Sequence, residues 1–180
     1  EGAGTIEFLY ENNEFFFIEM NTRLQVEHPI TEAVFGIDLV KEQISVAYGM
    51  GMSLSQEHLE PKGHAIECRI NAERLPNFSP SPGNIKEFHS PGGIGIRMDS
   101  AIYNGFRVPP YYDSLIGKLI VHADSRSTAL GRLSRALDEL IIDGVYTTVD
   151  LFKDILDQAD FKNGDYNIHW LEQWLSDKVK

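Results

Sequence analysis

The sequence predicts an α+β fold: a strand pair, a helix, a run of short strands, then a run of helices. Three observations carry this. Residues 5–21 are rich in Phe, Ile and Tyr and are interrupted only at Asn12-Asn13. Residues 64–122 hold short strand-like runs separated by Pro and Gly. From residue 126 onward apolar residues recur at helical spacing. Strands and helices therefore fall in separate runs, which is the α+β pattern rather than the alternating α/β one.

In order, residues 5–21 read as two strands joined by a turn at Asn12-Asn13. Residues 31–48 read as one helix, with Val34, Ile37, Val40 and Ile44 on its apolar stripe and Gly49 and Gly51 at its end. Residues 52–63 are polar and form a connection. Residues 64–73 alternate: Ile66, Cys68 and Ile70 on one face, Glu67, Arg69 and Asn71 on the other. Pro76, Pro80 and Pro82 mark a loop, and Leu115–His122 is the most apolar strand that follows. A helix over 126–142 carries Leu130, Leu133, Leu137 and Ile141 and stops at Asp143-Gly144. Further helices are expected over 148–158 and after Asn167.

The bulk numbers exclude some functions. A net charge of −11 argues against a nucleic-acid partner, which requires clustered Lys and Arg. No apolar run reaches the ~18 residues of a membrane span. Cys68 is the single cysteine, so no internal disulfide forms; a reducing, cytoplasmic setting is expected. Its place on the apolar face suits a core residue. His28 and His64 have no metal-ligand spacing, and Trp170 and Trp174 suit helix packing.

Chemistry concentrates before residue 30. Glu7 lies in the first strand, and Glu19 and Asn21 end the second. A two-residue loop at Asn12-Asn13 would pair Glu7 with Ile18 and put Glu19 on the opposite face. A three-residue loop over 12–14 would set Glu7 directly across from Glu19. In that register the two carboxylates repel unless a cation joins them, and hard oxygen ligands favour Mg²⁺ or Mn²⁺. A solvent-facing edge hairpin is the competing reading. Pro29 predicts extended or looped chain before it, in which Arg23, Gln25 and Glu27 point the same way. They could bind a small anion and move a proton, or form a surface salt-bridged loop.

The stretch Glu19-Met-Asn-Thr-Arg-Leu-Gln-Val-Glu-His-Pro29 resembles the signature of the biotin carboxylases. So do Gly63-His-Ala-Ile-Glu-Cys-Arg-Ile-Asn-Ala-Glu73 and Pro109-Pro-Tyr-Tyr-Asp-Ser-Leu-Ile-Gly-Lys-Leu119. The similarity runs from Gly2-Ala-Gly-Thr5 to Asn167-Ile-His169, and within the family is nearest to the carboxylase component of bacterial-type acetyl-CoA carboxylase. It implies residues 1–50 as the end of an ATP-grasp domain and 51–180 as the carboxyl-terminal domain that follows. It implies ATP- and bicarbonate-dependent carboxylation of biotin on a biotin carboxyl carrier protein. That is the first half-reaction of acetyl-CoA carboxylase, in fatty acid synthesis.

By the same resemblance Glu7, Glu19 and Asn21 match ligands of the Mg²⁺ or Mn²⁺ that bridges ATP phosphates. Glu27 matches the base for bicarbonate, and Arg23 the residue that stabilises the biotin enolate. Gln25 and the Val26 backbone match a bicarbonate cradle. Arg69 matches an anchor for bicarbonate and the biotin ureido group. Leu9 and Ile168 match adenine contacts, and Arg97 a homodimer interface. A carboxyltransferase component is the further partner. The chain is expected to be the carboxyl-terminal part of a longer enzyme and inactive alone. Alternatives are the matching part of a propionyl-CoA, methylcrotonoyl-CoA or pyruvate carboxylase, or a non-catalytic dimerisation or docking module.

Overall fold

The structure is a computed structural model and describes residues 1–178. The chain divides into two compact units, residues 1–62 and 63–180. The Lys62 N–H donates to the Val34 carbonyl at 2.7 Å, within the first unit.

The first unit begins with an antiparallel ribbon of β1 (Thr5–Glu11) and β2 (Glu14–Asn21). Asn12 and Asn13 both take left-handed backbone (φ 51° and 65°), the conformation that a two-residue hairpin turn demands and that Asn tolerates. The loop therefore has two residues, pairing Glu11 with Glu14 and Phe8 with Phe17. The register then shifts, and Glu7 pairs with Glu19. Ile18 is the extra residue of a β-bulge. Of the two loop lengths open from the sequence the two-residue one forms, and the bulge, not the turn, brings the two carboxylates opposite each other. The ribbon's second face carries Phe8, Tyr10, Phe15 and Phe17 in edge and tilted ring contacts. Phe15 and Phe17 are 70% and 64% exposed.

The expected 31–48 helix is two helices, α1 (His28–Phe35) and α2 (Leu39–Ala47). Gly36 turns left-handed (φ 67°) and closes α1. Asp38 then caps α2, its side chain accepting the Lys41 N–H at 2.7 Å. Pro29 does not exclude helix at His28. It sits in the first turn of α1, where a missing N–H costs nothing. A short 3₁₀ turn, Gln56–His58, follows.

The second unit is built on β3 (His64–Asn71), β8 (Ile96–Ser100) and β10 (Leu115–Ala123), in the antiparallel order β3-β10-β8. Short pairs surround this sheet: β4 (Glu73–Arg74) with β5 (Ser79–Pro80), β6 (Gly83–Asn84) with β9 (Arg107–Val108), and β7 (Glu87–His89) with β11 (Ile141–Asp143). Residues 141–143 therefore end the expected helix early, because they pair with 87–89 as a strand. The helices are α3 (Arg126–Glu139), α4 (Val149–Asp157), α5 (Ala159–Asn163) and α6 (Trp170–Lys178). Cys68, Ile70, Leu119 and Val121 face a core closed by Ala129, Leu133, Ala136 and Leu137 of α3. The opposite sheet face carries the cross-strand rows Arg69–Lys118–Asp99 and Glu67–Ile120–Arg97. Alternation thus puts Arg69 outside and Cys68 inside, as the pattern of 64–73 predicts. The architecture is α+β. Among the described residues, no helix is long and apolar enough to cross a membrane.

Candidate functional site

In the first unit the bulge aims two carboxylates at one point. The Asn21 side-chain nitrogen donates to Glu7 Oε1 at 2.9 Å and to Glu19 Oε1 at 3.0 Å. One amide nitrogen, bearing partial positive charge, thus occupies the place between two like charges. A divalent cation fits that place better, because its full charge offsets both carboxylates and oxygen donors suit Mg²⁺ or Mn²⁺. Asn21 has an oxygen on the same amide to offer. Among the described residues, no three His, Cys, Asp or Glu side chains converge on a common point. Two carboxylates and an amide leave Mg²⁺ coordination open for phosphate oxygens and water.

Gln25 joins this cluster: its side-chain nitrogen donates to Glu7 Oε1 at 2.7 Å. Residues 22–23 bend, 24–25 are irregular and 26–27 turn, so Arg23, Gln25 and Glu27 do not share a strand face. Arg23 is exposed, and its Nη1 donates to the Leu24 carbonyl at 3.2 Å. Glu27 stands at the start of α1, and its side chain does not cap that helix. Leu9 lies two residues from Glu7 on the same ribbon face and is 42% exposed. The first unit therefore gathers Glu7, Glu19, Asn21 and Gln25 by direct hydrogen bonds.

The remaining expected residues lie in the second unit. Arg69 is exposed on β3, with its carbonyl accepting the Thr148 hydroxyl at 3.2 Å. Arg97 forms a bidentate pair with Asp99, Nε–Oδ1 2.7 Å and Nη2–Oδ2 2.8 Å. That hydrogen bonding holds the Asp99 carboxyl below the usual carboxylate range, against partial burial and with help from Lys118. Ile168 is 77% exposed in the turn before α6. A groove of about 740 Å³ lined by Ser127, Gly131, Ser134, Lys153 and Lys162 contains none of these residues.

Sequence reasoning missed Glu32. It is a carboxylate only 8% exposed, it accepts the Leu39 N–H at 2.9 Å, and it faces His28. Its i, i+4 spacing from His28 was the available signal.

These features define a hairpin-borne carboxylate–amide site suited to a divalent cation, followed by an α+β domain whose outer sheet face mixes Arg69, Lys118 and Arg97 with Glu67 and Asp99. The family pattern described as biotin carboxylase C-terminal domain matches residues 67–173. The one described as carbamoyl-phosphate synthase L chain, ATP binding domain, matches residues 1–56. The chain belongs to the biotin carboxylase family. It is 56% identical over 174 residues to the biotin carboxylase of Haemophilus influenzae, covering 97% of this chain and 39% of that protein. It is 52% identical over 175 residues to a pyruvate carboxylase component of Methanothermobacter thermautotrophicus, covering 97% and 36%. Among solved structures it resembles the biotin carboxylase domain dimer of Hydrogenobacter thermophilus 2-oxoglutarate carboxylase, solved with MgADP, ADP and bicarbonate. The TM-score is 0.93 at 46% identity, covering 96% of this chain and 38% of that one. The chain thus spans about two fifths of the length of the relatives it matches.

Proposed function

We propose that the chain supplies the metal-, bicarbonate- and biotin-facing residues of an enzyme that carboxylates biotin with ATP and bicarbonate. The convergence of Glu7, Glu19 and Asn21 on one point is the observation that carries this reading. Residues 1–50 serve as the end of an ATP-grasp domain and 51–180 as the carboxyl-terminal domain. Mg²⁺ or Mn²⁺ held by the three side chains supplies charge that offsets the phosphates of ATP during phosphoryl transfer.

The chain's own residues do the rest. Gln25 and the Val26 N–H cradle bicarbonate. Glu27 accepts its proton as general base. The bicarbonate oxygen takes the γ-phosphoryl group, ADP leaves, and carboxyphosphate forms. The carboxyl carbon of carboxyphosphate then bonds to biotin N1, its bond to phosphate oxygen breaks, and the N1 proton leaves with the phosphate, while the Arg23 guanidinium opposes the negative charge that develops on the ureido oxygen. Arg69 anchors the bicarbonate and the ureido group, its planar fork matching either oxygen pattern better than Lys would. Leu9 and Ile168 contact adenine, and Arg97 lies at a homodimer interface.

The biotin is carried on a biotin carboxyl carrier protein, and a carboxyltransferase component completes the cytoplasmic complex. We place the half-reaction in acetyl-CoA carboxylase. Relatives named for pyruvate and 2-oxoglutarate share the same domain, which supports a carboxyl acceptor chosen by another component. The chain spans about two fifths of the length of its relatives, which supports a further point: these 180 residues alone do not turn over ATP.

Glu27→Gln in the full-length enzyme tests the reading. Carboxylation of free biotin should fall at least ~100-fold, within the range that general-base catalysis contributes, while ATP still binds. An unchanged carboxylation rate would remove Glu27 from the mechanism.

A further inference from the structure

We propose that His28 and Glu32 form a brace that sets the direction of the Val26 N–H, making them positioning residues for the bicarbonate cradle. The inference rests on the function proposed above. Three contacts define the brace. His28 Nδ1 lies 2.8 Å from the Gln25 carbonyl oxygen. A carbonyl only accepts, so the ring nitrogen donates. The other ring nitrogen, Nε2, faces Glu32 Oε2 at 4.0 Å. Glu32 Oε1 in turn accepts the Leu39 N–H at 2.9 Å, at the start of α2. The Gln25 carbonyl holds the ring on one side; on the other, the Glu32 carboxylate, anchored to the next helix, stands beyond hydrogen-bond reach and attracts the ring only when it is protonated.

The peptide plane turns this contact into a device. The Gln25 C=O and the Val26 N–H belong to one peptide unit, which is planar and trans, so they point in opposite directions. A carbonyl fixed on His28 fixes the Val26 N–H on the far side. The main-chain bond to this carbonyl, from the His28 N–H, is long at 3.3 Å and specifies the plane weakly. The ring contact at 2.8 Å is the tighter of the two. The Gln25 side chain is separately fastened to Glu7 at 2.7 Å. Gln25 is therefore held at both ends, by the carboxylate cluster and by the brace. Both brace side chains are shielded, His28 at 17% exposure and Glu32 at 8%.

Two variants and two readouts test the brace. His28→Ala removes both contacts. His28→Asn keeps a donor near the position of Nδ1 and loses the reach to Glu32. In the full-length enzyme, His28→Ala should lower kcat/KM for bicarbonate by roughly 10- to 100-fold, the scale of a misplacement near 1 Å. The KM for ATP should stay within about twofold, because that binding is not routed through the turn. His28→Asn should recover most of the loss. In the 180-residue chain, the Val26 amide should shift and exchange faster in His28→Ala than in His28→Asn. Equal losses for ATP and bicarbonate, or no recovery with Asn, would overturn the brace in favour of general damage. Unchanged bicarbonate kinetics with an unchanged Val26 amide would overturn it outright. If the unmodified enzyme carboxylates no biotin, the proposed function falls, and the Val26 amide still decides the brace.

Discussion

Glu7 and Glu19 face each other across the β1–β2 ribbon because Ile18 is an extra residue in β2. Without that bulge, the two-residue turn would place Ile18 opposite Glu7 and leave Glu19 on the aromatic face. Bulges re-aim side chains at functional sites, and this one moves a carboxylate from one face to the other. The cost is an interrupted ladder. The compensation in the structure is the Asn21 amide, which bonds to both carboxylates.

Cys68 should be chemically silent in the folded chain. Burial pushes its thiol up to about 12, with the Glu67 charge adding to the effect. The thiolate is the reactive form. A thiol reagent at pH 8 should leave Cys68 unmodified until denaturant is added, and labelling should then be complete. Fast labelling of the native chain would place Cys68 outside the core.

His64 should make the second unit sensitive to mild acid. Burial, and then the Arg126 charge 3.3 Å from its Nε2, lower its affinity for a proton. The unfolded chain therefore binds that proton more readily than the folded one. Stability from this group is fully present above pH 6.5 and is lost as pH falls from 6.5 through the lower folded value. The urea midpoint should drop between pH 7.5 and 5.5. In His64→Gln the drop should be smaller. An equal drop in both proteins would remove His64 as the cause.

Leu133→Ala tests the core of the second unit. Leu133 is 1% exposed and packs α3 against the sheet. Its loss should cost roughly 2–5 kcal/mol, the range for a large-to-small change that leaves a cavity. Equilibrium denaturation measures this directly. A cost below about 1 kcal/mol would mean that the site collapses around the gap.

Much of this was legible in the sequence, for local reasons. Alternation through 64–73 placed Cys68 inside and Arg69 outside, because side chains on a strand change face at every step. Asn12-Asn13 located the turn. The pairing of Glu7 with Glu19 was one of two registers the sequence left open, and there it required a longer loop. A bulge arises where a ladder is interrupted, and nothing in Phe17-Ile18-Glu19 announces it. The single 31–48 helix failed at Gly36-Ile37-Asp38. Apolar spacing continues across that break, while the left-handed Gly36 and the Asp38 cap end one helix and begin another. Residues 141–143 carry the helical stripe forward, yet pairing with 87–89 overrides it. The bonds from Gln25 to Glu7 and from His28 to the Gln25 carbonyl are products of the folded turn. No spacing rule encodes them.

By the proposed function, Glu7, Glu19 and Asn21 should hold a divalent cation together with nucleotide. Mn²⁺ binding to the full-length enzyme in the presence of ADP, followed by electron paramagnetic resonance, tests it most directly. Glu19→Gln removes one charge from the pair and keeps the side chain's size. It should weaken Mn²⁺ binding by at least ~10-fold, about 1.4 kcal/mol, with the fold intact by circular dichroism. Mn²⁺ affinity equal to that of the unmodified enzyme in both Glu7→Gln and Glu19→Gln would mean that the two carboxylates do not bind the metal.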